Sequence, residues 1–551
     1  MPLPEPSSEW TLVDSGSRLV RGLRGVELIV RSSEHHCDGN FQLSMKSTIE
    51  SSLSSEELKR RHQAAWWRTR QVLPVVGVDF PTLETASFKL LDTLDAARKW
   101  TEQSSIIATS TTVDDIYLSR SRSNQESLTM TLVVDPIRGS RGCVLSMSHT
   151  LISTNIYRIL QEYIFQLANP DTALGLSASF KPENAGDITS RLPISLSHAY
   201  NLTHQPTPSD LQNAFTCHQK SQERWSRNSI GIPLHPDYKS RPTRIHNKTI
   251  AFESWETVAA FKFLKQAGIS LTAAFTACMT SAIAHMYPAQ NSNPDGAHLL
   301  FSASGRRYLD CEARNGHGQV SMPIIPASTW VGSEEVDLRP TSQKGLLRLA
   351  SAIERAQNAD LESPHIIAVF DQIAPDLVKA LSDAALLPSG PPPPPAMGRP
   401  TLTSQGQFSN KADRLASRDP GAQVRMTDFN TGGRTTDPSV CFALNSFRDE
   451  LRFNMLFDEK FFPQGDVALL GQVVARLFRR VTGVDEVGLG KQSSANFRVC
   501  TVCLTYNGVS TTGRYIERDV SCGLSTRTNR IVSGVGLNVC NYIDKHNVTW
   551  E

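Results

Sequence analysis

Hydrophobic positions recur along this chain at two periods, and the periods mark out its elements. In "SSEELKRRHQAAWWRTRQVLPVV", Leu58, His62, Ala65, Trp66 and Val72 or Leu73 fall near helical spacing and Pro74 closes the run, which predicts an amphipathic helix. "SLTMTLVV" and "GCVLSMSH" are β-rich or alternating runs on either side of the turn residues in "DPIRGSR", which predicts a hairpin. The second of these strands delivers His149 at its C-terminal end. "STNIYRILQEYIFQLANP" then opens with three potential N-caps and carries Ile156, Ile159, Leu160, Tyr163 and Leu167 on one face. It closes at Pro170, the pattern of a second amphipathic helix. Nearer the start, "RLVRGLRGVELIV" reads as a strand and "SSEHHCDGN" as a polar loop after it.

Residues 200 to 250 are polar and proline-bearing and read as a crossover between two lobes. The second lobe begins with a strand, "NKTIAFES", and a helix, "WETVAAFKFLKQAG", that runs to Gly268. "SLTAAFTACMTSAIAHMYP" follows, a small-residue helix apolar nearly all round, capped by Ser270 or Thr272 and ended by Pro288. A helix of that kind belongs in a core. "HLLFSASGRRYL" predicts a strand and a turn, and "SGPPPPPAMGRP" a polyproline loop that interrupts the lobe. "VRMTDFNTGGR", "SVCFALNSFRD" and "ELRFNMLFDEKFF" predict a meander of strands, and "GDVALLGQVVARLFRRV" a closing amphipathic helix. The expected organisation is an N-terminal lobe over 1–235, a C-terminal lobe over 236–490 and an irregular extension over 491–551.

Composition narrows the function classes. Fifty-six basic against fifty-four acidic residues leave a formal charge of +2, which offers no electrostatic ground for a nucleic-acid or membrane-surface partner. No apolar run approaches the ~18 residues of a membrane-spanning helix. "MPLPEPSSEWTLVD" lacks the basic and apolar regions of a secretory signal. With ten cysteines scattered through a long chain, the expected compartment is the reducing cytoplasm, where the sequons at Asn201, Asn247 and Asn547 carry no glycan. Cys500-x-x-Cys503 with isolated Cys522 and Cys540 lacks the second close pair of a structural zinc site, so no metal is expected. No convincing "GxSxG" nucleophile elbow occurs.

Two histidine-bearing stretches compete as the chemical centre: "SSEHHCDGN" with His35 and His36, and "LSMSHTLISTN" with His149. A strand ending in histidine, an immediate turn into a helix, then a second lobe with a buried alanine-rich helix and a closing strand meander resembles the chloramphenicol-acetyltransferase-like superfamily. That group includes peptide-synthetase condensation domains, plant BAHD acyltransferases and fungal alcohol O-acetyltransferases, and the resemblance is nearest to the trichothecene 15-O-acetyltransferase type. "AWWRTRQVLPVV", the His149 segment, "LTAAFTACMTSAIAHMYP", "SASGRRYL", "TLTSQGQF" and "ELRFNMLFDEKFF" with its terminal helix are similar to that family's landmarks, in order, over roughly residues 10 to 485.

The resemblance implies an α/β (α+β) two-lobe chloramphenicol-acetyltransferase-like fold with mixed sheets around an interlobe tunnel. It also decides between the two stretches. The family signature is HHxxxDG. In "HHCDG" Asp38 follows His36 by only two residues, and the segment precedes the first long helix rather than following a central strand. In "SHTLIST" Ser148 stands for the first histidine, His149 for the catalytic second, Ser153 for the aspartate and Thr154 for the glycine. In the family that aspartate is architectural and pairs with an arginine, for which Arg306 or Arg307 of "SASGRRYL" would be the partner. The motif is therefore degenerate here around an intact His149.

The implied activity is direct acyl transfer from acyl-CoA, acetyl-CoA above all, to the hydroxyl of a small-molecule alcohol. A fungal secondary metabolite such as a terpenoid or mycotoxin would be the acceptor. A neutral imidazole suits the general-base step because its ordinary pKa of ~6.5 leaves the base form available at neutral pH. The oxyanion donor would come from the strand and loop around Ser404 or from "TDFNTGGR". Within that stretch "DFNTGG", Asp428 to Gly433, resembles the family's structural loop, with Asp428 architectural and Gly432 and Gly433 allowing a tight turn. The protein would work as a monomer without a metal. The alternative is a repurposed member of the same fold that binds or cyclises an intermediate without acyl transfer.

Overall fold

The computed structural model describes residues 9–124, 128–135, 137, 139–150, 155–309, 320–385, 397–408 and 424–484. Three sheets organise them. A small antiparallel sheet runs β1 (Thr11–Val13), β2 (Arg18–Gly22), β5 (Thr85–Lys89), β4 (Val78–Asp79). A five-stranded sheet runs β14 (Val424–Gly433), β3 (Leu43–Ser51), β8 (Ser140–Met147), β7 (Thr129–Asp135), β6 (Ser105–Ala108). A seven-stranded sheet runs β10 (Ile245–Ala251), β16 (Glu450–Asp458), β15 (Ser439–Phe447), β13 (Met397–Gln407), β11 (Gly296–Ser304), β12 (Ile324–Gly332), with β9 (Ile232–Pro233) pairing β13. The two larger sheets are mixed: β6 runs parallel to β7, and β13 runs parallel to both β11 and β15. Helices of twelve or more residues are numbered α1 (Gly25–His36), α2 (Ser55–Val72), α3 (Asn155–Ala168), α4 (Pro208–Glu223), α5 (Ser254–Ala267), α6 (Leu271–Met286), α7 (Gln343–Asp360), α8 (Ile366–Ala385) and α9 (Gln464–Val481).

The strongest periodic signals fold as the pattern dictates. Ser54 caps α2 by accepting from the Glu57 amide, and Leu58, His62, Ala65 and Trp66 are all buried. The last turn resolves in favour of Leu73, which is buried, while Val72 is exposed. This face packs on α3: His62 Nδ1 lies 2.7 Å from the Tyr163 hydroxyl, and Arg61 donates to the carbonyls of Leu167, Ala168 and Asn169 at the C-terminal end of α3. Burying a side chain of the size of Leu58 or Ile159 stabilises by about 1.5–3 kcal/mol, so the α2–α3 seam is a principal support for whatever α3 positions. Further along the chain Ser270 caps α6, whose Ala273 to Ala284 stretch is buried throughout. Gly268 closes α5 at φ +66°, a left-handed position that glycine takes without a Cβ clash. The hairpin is present, with β7 and β8 paired from Thr129 with Ser146 to Asp135 with Ser140.

Four readings are corrected. "RLVRGLRGVELIV" is not one strand: β2 stops at Gly22, and "GVELIV" opens α1. That helix is buried on nearly every side, Glu27, Arg31 and Glu34 included, so it shows no polar face and its helical period is not visible in the letters. Glu27 can be buried because Arg21 meets it bidentately at 2.8 Å. "SSEHHC" is accordingly the last turn of α1 and its C-cap rather than a loop after a strand. The meander is also broken. β15 and β16 form a hairpin, but β14 leaves them and pairs antiparallel with β3, from Val424 with Ser51 to Gly433 with Leu43.

"DFNTGG" is therefore strand, not loop. Neither Gly432 nor Gly433 has a positive φ, so they do not make a tight turn. What Gly432 provides is clearance: a Cβ there would run into the Tyr117 hydroxyl and the Asn247 amide, which already contact each other. A strand from late in the chain thus completes a sheet otherwise built from residues 43–147. The turn after α1 is tied to the end of that strand: Arg434 donates to the Asp38 carbonyl and carboxylate and to the Arg122 carbonyl, and Thr436 donates to the Cys37 carbonyl. From the other side α8 packs along α1, with Ser382 Oγ 3.0 Å from His36 Nε2. The proline run and the extension after residue 490 lie outside the described residues.

Candidate active site

β8 is buried along its last six residues, ends at Met147, and hands the chain to Ser148, His149 and Thr150. No regular ladder continues past this point, so the polar groups of these three residues need other partners. One carboxylate supplies them. Glu34, in the last turn of α1, accepts the His149 amide on Oε1 at 2.6 Å and the Ser148 hydroxyl on Oε2 at 2.6 Å. The Thr150 hydroxyl reaches the same Oε2 at 3.2 Å, and the Thr150 amide donates to Ser148 Oγ at 3.1 Å. Arg31, one helical turn earlier, places Nη1 3.6 Å from Glu34 and stacks its guanidinium over Phe80. Burial pushes the Glu34 carboxyl up to about 7, against the pull of Ser148, the His149 amide, Arg31 and Thr150.

His149 itself is half-buried, while its Nδ1 is buried with no partner on another described residue. Burial pulls the imidazole down to about 4; the opposing influence is the residue's own backbone carbonyl. The ring is therefore neutral at pH 7. A proton on Nδ1, turned toward that carbonyl, leaves the Nε2 lone pair as the basic end. Nothing of this arrangement holds a nucleophilic Ser–His pair: the Ser148 hydroxyl is spent on Glu34 and Thr150.

The other residues singled out in the sequence divide by position. Ser153 and Thr154 lie outside the described residues. Arg306 and Arg307 occupy the short turn Gly305–Tyr308 after β11; Arg307 stacks over Tyr308. Ser404 is exposed on β13, next to a register shift that ends at Gly406. Asp428 sits on β14 and its carboxylate is held by Arg452 of β16. His35 and His36 end α1, where they meet edge to face at 4.9 Å and His36 contacts Ser382. Glu34, Arg31 and Thr150 were not read as functional. Glu34 is adjacent to the histidine pair in "SSEHHCDGN", but its partners are 114 to 116 residues away, and no local pattern connects them.

No family model matches the chain. Among known proteins it is 28% identical over 534 residues to the acyl-CoA-dependent acyltransferase MAC2 of Pseudozyma antarctica, covering 86% of this chain and 96% of that one. The acyl-CoA-dependent acyltransferase MAC1 of the same organism is 22% identical, covering 74% of this chain and 82% of that one. Among solved structures, TRI3 trichothecene 15-O-acetyltransferase from Fusarium sporotrichioides superposes with a TM-score of 0.68 at 13% identity, over 87% of this chain and all of that one. The fold is that of the chloramphenicol-acetyltransferase-like superfamily. The first condensation domain of the CDA synthetase shares it, with a TM-score of 0.52 at 12% identity over 83% of this chain and 96% of that one. The relatives it matches over most of its length are acyltransferases, the class of enzyme that the order of its elements implied.

Among the described residues no group of three or more His, Cys, Asp or Glu is placed to hold a metal ion. No single described helix is long and apolar enough to cross a membrane.

Proposed function

We propose that the protein transfers an acyl group, acetyl in the first instance, from its CoA thioester to a hydroxyl of a small-molecule acceptor, with His149 as general base. The observation that carries the reading is the state of His149. It is a neutral imidazole at a strand end, with Nδ1 shut away and its own amide fixed by a buried carboxylate, in a fold whose relatives are acyl-CoA-dependent acyltransferases. The proposed steps balance without a metal. Nε2 takes the hydroxyl proton as the oxygen attacks the thioester carbonyl; the tetrahedral intermediate collapses with cleavage of the C–S bond; the proton passes from the imidazolium to the departing thiolate. The products are an ester and free CoA. General-base help of this kind contributes roughly 10²–10⁴ in rate, and holding both substrates in place can contribute more.

The acceptor we favour is a hydroxyl of a fungal secondary metabolite such as a terpenoid, because the chain shares its fold with a trichothecene acetyltransferase and its relatives are fungal. On this reading the substrates would meet in a tunnel between lobes 1–235 and 236–490, in a monomeric cytoplasmic enzyme. Incubation with acetyl-CoA or a longer acyl-CoA and a panel of terpenoid alcohols should release free thiol and an ester of matching mass. Failure to release thiol with any pair in a broad screen would overturn acyl transfer and favour a protein of the same fold that binds or cyclises an intermediate.

A further inference from the structure

The motif that holds the catalytic turn in this superfamily does so, by the resemblance set out above, with an aspartate four residues after the histidine; here that position is Ser153. The turn is nonetheless held. All three residues Ser148, His149 and Thr150 place a donor on the Glu34 carboxylate, at 2.6, 2.6 and 3.2 Å. A carboxylate offers about four lone-pair sites, so one side chain can take three donors and still face Arg31. Glu34 is 2% exposed, and α1, which carries it, packs along α8 and touches β12. A buried carboxylate is costly to desolvate, and here the cost is offset by donors drawn from one short turn and by Arg31. Its partners are not spread over the core; they are the residue that carries the imidazole and the two that flank it.

We infer that Glu34 is the positioning residue of the active site, a carboxylate brought in from α1 that fixes the backbone of His149 in place of the missing motif aspartate. It does not touch substrate in this role. It acts through the His149 amide, which sets where the imidazole stands, and through the Ser148 and Thr150 hydroxyls, which stop the turn from unwinding. The inference rests on the proposed role of His149 and extends it to a residue outside the family motif. It also gives the segment "SSEHHCDGN" a part in the site: the histidines are bystanders, and the glutamate before them is the functional side chain.

The test uses the full-length protein, with ring-labelled histidine followed by NMR, the His149 signal being assigned from its loss in His149→Gln. Glu34→Gln keeps the volume but replaces one acceptor oxygen by a donor. It should shift the His149 ring resonance and leave those of His246 and His285, which lie in the second lobe, in place. With acetyl-CoA and an acceptor turned over by the wild type, it should lower kcat by roughly 10- to 100-fold with KM for acetyl-CoA within about twofold, because misplacement of a catalytic group appears mainly in turnover. Ser148→Ala with Thr150→Val removes two donors and leaves Glu34. It should shift the same resonance and lower kcat by a smaller factor, and it serves if Glu34→Gln does not fold. Unchanged His149 resonance and kcat in a folded variant would overturn the inference. If the wild type turns over no acyl-CoA, the acyl-transfer reading falls by itself; the NMR arm then decides the clamp alone, a shifted resonance supporting it and an unshifted one overturning it.

Discussion

The end of α1 and the end of β8 both present histidine, and only one of them is built like a chemical centre. At the end of α1, His35 and His36 terminate a helix, share edge-to-face contact, and are followed by a turn fastened by Arg434 and Thr436 to the end of β14. At the end of β8, His149 stands after the last ladder bond, with a buried Nδ1 and a fixed amide. The first segment contains the letters of the family motif in the wrong spacing; the second keeps only one of its four letters, His149, at the end of a strand. Recognition by letters would choose the first. What separates them is where the flanking polar groups go: into tethering in one case, into holding a single imidazole in the other.

The sharpest way to break this contrast is His149→Ala. Turnover should fall by roughly 10²–10⁴ with little change in melting temperature, measured by thiol release and thermal unfolding. The same assay over pH locates the base. Because the folded pKa is lowered, the neutral form survives to lower pH, and the limb of kcat/KM set by His149 should fall near 4 rather than near the ordinary 6.5, below any smaller step from protonation of Glu34 near 7. Equal rates for wild type and His149→Ala would remove the distinction between the two segments.

Arg434→Ala probes the tether. The guanidinium is buried and donates to two carbonyls and the Asp38 carboxylate, so its loss should destabilise by about 1.5–3 kcal/mol in denaturant titration while kcat per folded molecule stays within about twofold. A large fall in kcat at constant stability would mean that the α1 turn is part of the chemistry. A third measurement compares wild type with Glu34→Gln from pH 4 to 8. The Glu34 pKa is raised, so the native state holds a proton that the unfolded chain releases between about 4.5 and about 7. Stability contributed by that proton is present below 4.5 and lost as pH rises through 7, so the wild type should lose stability relative to the variant across that window. A flat difference would show that the carboxyl is not desolvated as described. The smallest effect belongs to His36→Ala. Losing the contact with Ser382 should cost about 0.5–1.5 kcal/mol and leave turnover unchanged.

Legibility in the sequence followed how one-sided each element's environment is. α2 and α3 have one wet and one dry face, so Leu58, His62 and Trp66, or Ile159 and Tyr163, repeat at the period the geometry requires, while the β7–β8 hairpin, buried on both faces over most of its length, showed as β-rich runs around turn residues. α1 has no wet face, and its buried Glu27 and Arg31 scramble the pattern. β14 alternates well enough to be read as a strand, but alternation says nothing about which sheet a strand joins, and its partner β3 lies more than 370 residues earlier. His149 was legible as a residue because a strand end followed by helix caps is a local signal. Glu34 was not, because its role exists only where α1 and β8 meet.

The crossing of β14 into the first sheet also governs how the protein can be made. In the finished molecule β3 is an interior strand, flanked by β8 and β14. While the chain emerges from the ribosome, β8 arrives about a hundred residues after β3, but β14 does not exist until residue 433 has been synthesised. At ≈5–20 residues per second, that leaves a nine-residue β3 with one row of backbone donors and acceptors unpaired for tens of seconds at the slower end of that range. The nascent five-stranded sheet is thus an open template for any other extended segment, and the last-made of its own strands is what closes it.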